Sequence, residues 1–501
     1  MKRLSIILLL LIPFCLAAQK KIPTDQEKKL NEFDLYAQKA FKQWEAPGAA
    51  VAIVKDGQVI FKKGYGVREL GRPSAVNTET LFACASTTKA MTAVCLGILV
   101  DEGKIKWNDP VSQHLPEFQL YDPFVTRDLK IRDLLIHNSG VGNTDFLWSL
   151  MDIPDDEVLR RMRLVKPTYS LRDGFIYQNI FYVAAGKVIE KVSGQLWESF
   201  VQERIFKPLK MSRTYPKMKY IKDDNYTKPH FRVDGKIQVI GYSKDDAVGP
   251  AGSVWSSIND MSEWTRCMLD SSKYNGGRLL KPQTWTEMYR PQTLVPPNEF
   301  YLTAKLTKPH WTTYGLGWFQ HDYKGQKVNF HTGSLSGLTA IHGQLPDQKI
   351  GIYVFGNFDH AEVRHALMYK AFDLFALGGS RDWSTDFLAL YSGLTESGKK
   401  ELAKLEAARI PGTSPTLALE AYTGKYTDPL FGELTIQLVG SMLKVIVNNF
   451  ESASLSHWNY DTFYGPWEKS WYGKVSATFT VNASGKIDGV NVGGMEFRKA
   501  E

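Results

Sequence analysis

The sequence predicts a mixed α/β (α+β) unit, in which an antiparallel sheet is interrupted by a helical middle, followed by a small antiparallel β-barrel. Three observations carry this prediction. Hairpin-like runs at 50–66, turned by Asp56-Gly57, and at 338–355, turned at Pro346-Asp347, are separated by helical texture from about 105 to 211. Met91, Val94, Cys95, Ile98 and Leu99 repeat at i, i+3, i+4, i+7 and i+8, the period of one buried helical face. From 417 onward the chain breaks into short alternating strands with Gly or Asn between them.

Taken in order, Lys2 and Arg3 precede an apolar stretch over 4–12, too short to span a bilayer, and Ala17-Ala18 precede Gln19. Residues 1–18 read as a secretory signal, which directs the protein to the periplasm or outside the cell. Cys15 would suit a lipoprotein anchor, but Phe14 stands where such signals want a small residue. No other run is long enough for a transmembrane helix. The α/β unit is expected over 19–379, opening with a helix at 30–44 and the 50–66 hairpin. A helix over 86–103 stops at Gly103, and another over 181–192 stops at Ser193-Gly194. Residues 380–415 read as a linker, its charged helical stretch 396–409 ended by Pro411-Gly412-Thr413-Ser414-Pro415. The barrel is expected over 416–501, with strands at 432–438, 442–447, 474–481 and 486–492. Trp458, Tyr460, Phe463, Tyr464, Trp467, Trp471 and Tyr472 crowd into it and suit barrel core and hairpin packing, with a ligand rim as the alternative.

Composition excludes several classes. With 43% hydrophobic and 12% aromatic residues the chain is ordinary for a globular enzyme, and its net charge of +8 is spread without a basic run, so no nucleic-acid partner is expected. Behind the signal stand Cys84, Cys95 and Cys267, with no C-x-x-C. Cys84 and Cys95 are about 16 Å apart along one helical segment, beyond disulfide reach, and read as packing residues. No His/Cys spacing suits zinc, and neither a metal nor another cofactor is expected.

Three short motifs carry chemistry. Ser86-Thr87-Thr88-Lys89 opens the helix over 86–103. Ser86 alone reads as an N-cap, but a capping box wants Glu or Gln three residues on, and the positive helix end disfavours a cation there. At i and i+3 the ammonium can reach the hydroxyl, and desolvation favours the neutral amine that can take its proton. Tyr177-Gln178-Asn179 lies at a loop entering a helix, where a turn tyrosine and an Asx-type cap are the alternative. His331-Thr332-Gly333-Ser334 precedes a hairpin; such residues at a strand end are often structural, yet an edge strand there could pair with an extended substrate and lend an N–H to an oxyanion hole. A second S-x-x-K, Ser441 to Lys444, stands inside the β-patterned tail.

In this order the three motifs resemble those of the penicillin-recognising serine hydrolases, the class C β-lactamase and D,D-peptidase family. The run 130–140, Lys-Ile-Arg-Asp-Leu-Leu-Ile-His-Asn-Ser-Gly, resembles the family's signature helix and turn, and Ala251-Gly252-Ser253 and Tyr314-Gly315-Leu316-Gly317-Trp318 resemble later landmarks. The resemblance implies a β-lactamase/transpeptidase-like fold, Ser86 as nucleophile, Lys89 as its proton partner, and Tyr177 as general acid or base sharing a network with Lys89. Asn179, His331, Thr332, Gly333 and Ser334 would contact substrate, with the N–H groups of Ser86 and Ser334 as oxyanion hole. His331 departs from the family's usual Lys. A histidine titrating near 6.5 attracts a substrate carboxylate only on the acid side, which shifts expectation from β-lactams and D,D-carboxypeptidase substrates toward small esters, amides or D-amino-acid peptides. A weakly acylating sensor or scaffold is the alternative. Tyr422-Thr423-Gly424-Lys425-Tyr426 resembles the start of a lipocalin-like module.

Overall fold

The computed structural model describes residues 24–244, 246–359 and 362–500, so the expected signal over 1–18, with Cys15, lies outside the described residues. A capping box between Thr24 and Glu27 starts α1 (Asp25–Gln43). It leads into β1 (Gly48–Lys55) and β2 (Gln58–Gly66), then α2 (Thr88–Asp101), α3 (Ile180–Ser193) and α4 (Ile258–Leu269). The strands β3 (Thr293–Leu294), β4 (Thr312–Tyr314), β5 (Phe319–Tyr323), β6 (Gln326–Leu335), β7 (Leu338–Leu345) and β8 (Ile350–Gly356) follow. Together with the first hairpin they form one eight-stranded sheet in the order β3-β4-β5-β6-β7-β8-β1-β2.

The sheet is covered on both faces, which explains the nearly unbroken apolar sequence of β1. Ala50, Ala52, Tyr353 and Phe355 pack with Met91, Val94 and Met261 from α2 and α4. The alternate residues Ala49, Val51, Ile53, Ile352 and Val354 pack with Phe33 and Ala37 of α1 and with α5 (Val363–Phe372). A period of two therefore divides one strand between two cores.

The run 130–140 differs from the expected helix. It forms a single 3₁₀ turn, Ile131–Leu134, because the buried Asp133 carboxylate folds back onto its own segment. It accepts from the Lys130 backbone N–H at 2.9 Å, Asn138 Nδ2 at 3.2 Å and Arg172 Nη2 at 2.6 Å.

The stretch read as a linker is mostly one helix, α6 (Trp383–Ala407), whose first turns dock onto the preceding unit. Trp383 is 2% exposed and donates from Nε1 to Asp373 at 2.9 Å, while Asp373 also receives the Tyr323 hydroxyl at 2.8 Å and Lys324 Nζ at 2.7 Å. Beyond it β9 (Gly424–Asp428), β10 (Gly432–Val439), β11 (Met442–Val447), β12 (Glu451–Asn459), β13 (Thr462–Pro466), β14 (Lys474–Val481), β15 (Ile487–Val492) and β16 (Met495–Lys499) close into a barrel. Its strands alternate buried and exposed residues, as in Lys474–Val481. The second S-x-x-K falls here: Lys444 lies on β11 and pairs with Glu468 at 2.6 Å, while Ser441 stands in the turn before that strand and not on a helix. Of the aromatic run, only Phe463 and Trp467 belong to the barrel core.

Trp383→Ala should cost about 3–5 kcal/mol, the loss expected for emptying a buried indole site. Urea unfolding followed by tryptophan fluorescence reads this; a change below ~1 kcal/mol would show that α6 is not anchored as described.

Candidate active site

Ser86 is not the cap of α2. It sits in a one-turn 3₁₀ element, Ala85–Thr87, and the N-cap position falls on Thr87, whose side chain makes no cap bond. The preceding Ala85 has φ 46°, a conformation costly for a residue with a Cβ, so the nucleophile candidate follows a strained turn. Ser86 Oγ is thereby freed from helix capping and meets Lys89 Nζ at 3.0 Å.

Lys89 is fully buried in the first turn of α2. Its ammonium donates to three oxygens: Ser86 Oγ, Asn179 Oδ1 at 2.6 Å and the Ala251 carbonyl at 3.0 Å. It also lies 4.9 and 5.2 Å from the ring centroids of Tyr177 and Tyr182. Burial lowers its pKa from the usual lysine range to about 7, against the opposing attraction of Asp145. The neutral amine can keep two of these bonds as donor and turn its lone pair to the serine proton.

Asn179 is engaged at both ends of its amide. Oδ1 receives Lys89, and Nδ2 donates to Asp145 Oδ1 at 2.8 Å, which also accepts Trp148 Nε1 at 2.9 Å. Tyr177 stacks on His137, centroids 4.3 Å apart. Its buried hydroxyl has no hydrogen-bond partner among the described residues. Burial drives its pKa well above the usual phenol range, with Ser86 pulling slightly the other way, so the group is a neutral phenol at physiological pH. It meets Lys89 through its ring, and no hydrogen bond of its hydroxyl links it to Ser86 or Lys89 among the described residues.

His331 is buried, with both ring nitrogens taken by protein groups. It is 1% exposed; Nδ1 donates to the Thr332 carbonyl at 2.6 Å, which leaves Nε2 to accept the Tyr314 hydroxyl at 2.8 Å. Burial, with the Lys89 charge nearby, lowers its pKa to about 3. The expectation that it gains charge near pH 6.5 is therefore corrected: in this environment the imidazole stays neutral. Thr332 is held by the Tyr301 hydroxyl and, with the exposed Ser334, borders the cleft.

Gly333 is required by proximity. A Cβ there would stand 2.3 Å from the Cys84 carbonyl oxygen and 3.0 Å from Ser86 N, so β6 runs in backbone contact with the nucleophile turn. β6 is not an edge strand, as its sequence suggested, but its pairing with β5 ends at Phe319↔Phe330 while its pairing with β7 continues to Leu335↔Leu338. Residues 331–335 overhang β5 and offer a local open edge beside Ser86.

Sequence motifs missed the buried pair behind this edge. Arg364 Nη1 donates to the Gly333 carbonyl, to Ser334 Oγ at 3.0 Å and to the Ala340 carbonyl at 3.1 Å; Nε and Nη2 grip Glu362 at 3.2 and 2.9 Å. Burial pushes the Glu362 carboxyl up, but Arg364 and His365 more than offset it and hold it below the usual carboxylate range. An arginine within the otherwise buried α5 was the available signal; nothing in the sequence marked Asp145 or Tyr301. The resulting cleft has a volume of about 460 Å³ and is lined by Ser86, Tyr177, Asn179, Thr332 and Ser334. Asp145, Glu299, Glu362 and Arg364 also border it, and Lys89 Nζ stands behind Ser86 and Asn179. Among the described residues no cluster of His, Cys, Asp and Glu could hold a metal ion, and no helix is long and apolar enough to cross a membrane. Cys84, Cys95 and Cys267 are free and buried.

Known proteins resemble this chain in sequence and fold. The unguisins hydrolase of Aspergillus violaceofuscus is 27% identical over 445 residues, covering 81% of this chain and 76% of the relative. Protein flp of Staphylococcus aureus is 24% identical over 344 residues, 66% of this chain and 63% of its own. Two solved structures share the fold: the octameric penicillin-binding protein homologue of Pyrococcus abyssi, with TM-score 0.62, 20% identity and coverage of 93% of this chain and 99% of that one, and SurE, with TM-score 0.57, 18% identity and coverage of 94% and 99%. Residues 408–500 match a family described as a domain of unknown function, DUF3471. Residues 35–374 match the Beta-lactamase family, to which this chain belongs.

Proposed function

We propose that the protein is a secreted serine hydrolase that forms an acyl-enzyme on Ser86 and acts on small esters, amides or D-amino-acid-containing peptides. The observation that carries this reading is Lys89 Nζ, fully buried, 3.0 Å from Ser86 Oγ and poised to be half neutral near pH 7. Neutral Lys89 takes the Ser86 proton as Oγ attacks the acyl carbon. The N–H groups of Ser86 and Ser334 hold the developing oxyanion, a role supported by the contact of β6 with the nucleophile turn. The Tyr177 phenol passes a proton to the leaving group and is reprotonated by the Lys89 ammonium; water then attacks the ester on Ser86, gives its proton to the neutral Lys89, and Lys89 returns that proton to Ser86 Oγ as the acid product leaves. The Aspergillus relative is itself named a hydrolase. Export rests on the sequence of residues 1–18.

The charges of the cleft favour neutral substrates. Arg364 spends its donors on Glu362, Gly333, Ser334 and Ala340, and the bordering carboxylates repel a substrate carboxylate. Small esters and neutral amides are therefore preferred to penicillins or peptides with a terminal carboxylate.

The test is fluorophosphonate labelling of Ser86 together with p-nitrophenyl acetate hydrolysis. Ser86→Ala should lose both, with thermal stability shifted by only ~1 kcal/mol; prompt turnover by the purified variant would sink the assignment, and an unlabelled wild type would favour a binding protein.

The pH dependence follows from Lys89. The reactive form is unprotonated, so kcat/KM should rise through pH about 7 and level off above it. Asp145→Asn removes the attraction that favours the ammonium, so it should move this limb to lower pH. A limb that stays put or moves up would contradict the assigned coupling.

Gly333→Ala should reduce kcat by one to two orders of magnitude, because the added Cβ forces β6 away from Ser86 and displacements near 1 Å carry losses of about 10²-fold. Wild-type kcat in a variant whose circular dichroism is unchanged would show that this contact does not position the site.

A further inference from the structure

A second cleft, about 440 Å³, adjoins the first and shares Trp148 and Ser334 with it. Its walls come from both modules: Phe231 from the α/β unit, and Phe450, Trp471 and Tyr472 from the barrel. We infer that this cleft is an extended subsite that takes the distal residues of a neutral, peptide-like acyl substrate bound at Ser86, with an aromatic or apolar side chain seated against Trp471 and Phe231. The inference rests on the proposed acyl-enzyme chemistry.

Three observations converge on this chemistry. The open edge at 331–335 is continuous with the second cleft, since Thr332 and Ser334 border the first and Ser334, Leu335 and Ser336 border the second. A chain paired along that edge and acylating Ser86 is thereby directed into the second cleft. The cations there are already used: Lys244 pairs with Asp152 at 2.6 Å, Lys469 pairs with Glu451, and both ammoniums cover the Phe450 ring at 4.4 and 4.9 Å. The one carboxylate on its wall, Asp359, receives the Gly337 N–H at 3.1 Å, and the cleft offers a ligand the aromatic surface of Phe231 and Trp471, serine hydroxyls such as Ser243 and Ser336, and one buried donor. Trp471 Nε1 has no acceptor among the described residues, and a peptide carbonyl supplies one.

The experiment compares kcat/KM for N-acetyl-Ala-Phe-Ala p-nitrophenyl ester with that for p-nitrophenyl acetate, in wild type, Trp471→Ala and Phe231→Ala. The wild type should favour the tripeptide ester at least tenfold, and each variant should lower that ratio at least fivefold. Because the two substitutions lie on different modules, a folding defect in one leaves the other informative, with circular dichroism as the check. An unchanged ratio in both variants, or no wild-type preference, overturns the subsite. If the wild type neither labels at Ser86 nor hydrolyses either ester, the acyl-enzyme reading has failed. Calorimetric titration with N-acetyl-Ala-Phe-Ala amide then decides the cleft alone: binding weakened at least fivefold by Trp471→Ala retains it, and no binding, or binding unaffected, overturns it.

Discussion

The site depends on the burial of one ammonium. Lys89 has no contact with bulk water, yet it is tied to three oxygens, and the environment makes its charged and neutral forms nearly equal in free energy at physiological pH. An unpaired buried cation would cost several kcal/mol. Here the oxygens of Ser86, Asn179 and Ala251 and two aromatic faces offset that cost without cancelling it. Asp145 supplies the opposing charge at one remove, through the amide of Asn179. The arrangement explains why a lysine stands in a helix turn that disfavours cations, and why three distant chain segments must meet at its tip.

Holding those segments together is work for the sheet and its helices. The 3₁₀ turn Ala85–Thr87 and the first turn of α2 bring Ser86 and Lys89 within reach, the start of α3 brings Asn179, and β6 presses against the Ser86 turn because Gly333 has no side chain. Behind β6, Arg364 satisfies the Gly333 carbonyl while Glu362 neutralises it, so this charge is buried for positioning. The same economy holds between the modules, where Lys244 and Lys469 are spent on a phenylalanine ring and on carboxylates.

Much of this was legible in the sequence where a local rule applied. The period of α2, the Asp56-Gly57 turn and the alternating strands of the tail follow from side-chain spacing, and the clash of Lys89 with capping rules singled out its turn. What was illegible depends on tertiary placement. Residues 380–415 read as a linker because their polar half dominates, whereas the first turns dock through Trp383, Ser384 and Phe387. His331 reads as a substrate-contacting histidine of ordinary pKa because nothing local reveals that Tyr314 closes over its Nε2. Asp145 and the Glu362–Arg364 pair belong to no motif, and the overhang of β6 is a matter of register between strands of different length.

The most direct test of the buried-lysine account is an NMR titration of side-chain-labelled lysine, with the Lys89 resonance assigned by its loss in Lys89→Arg. The account predicts a titration midpoint near 7, moved to lower pH in Asp145→Asn. A Lys89 signal that remains that of an ammonium through pH 9 would contradict it.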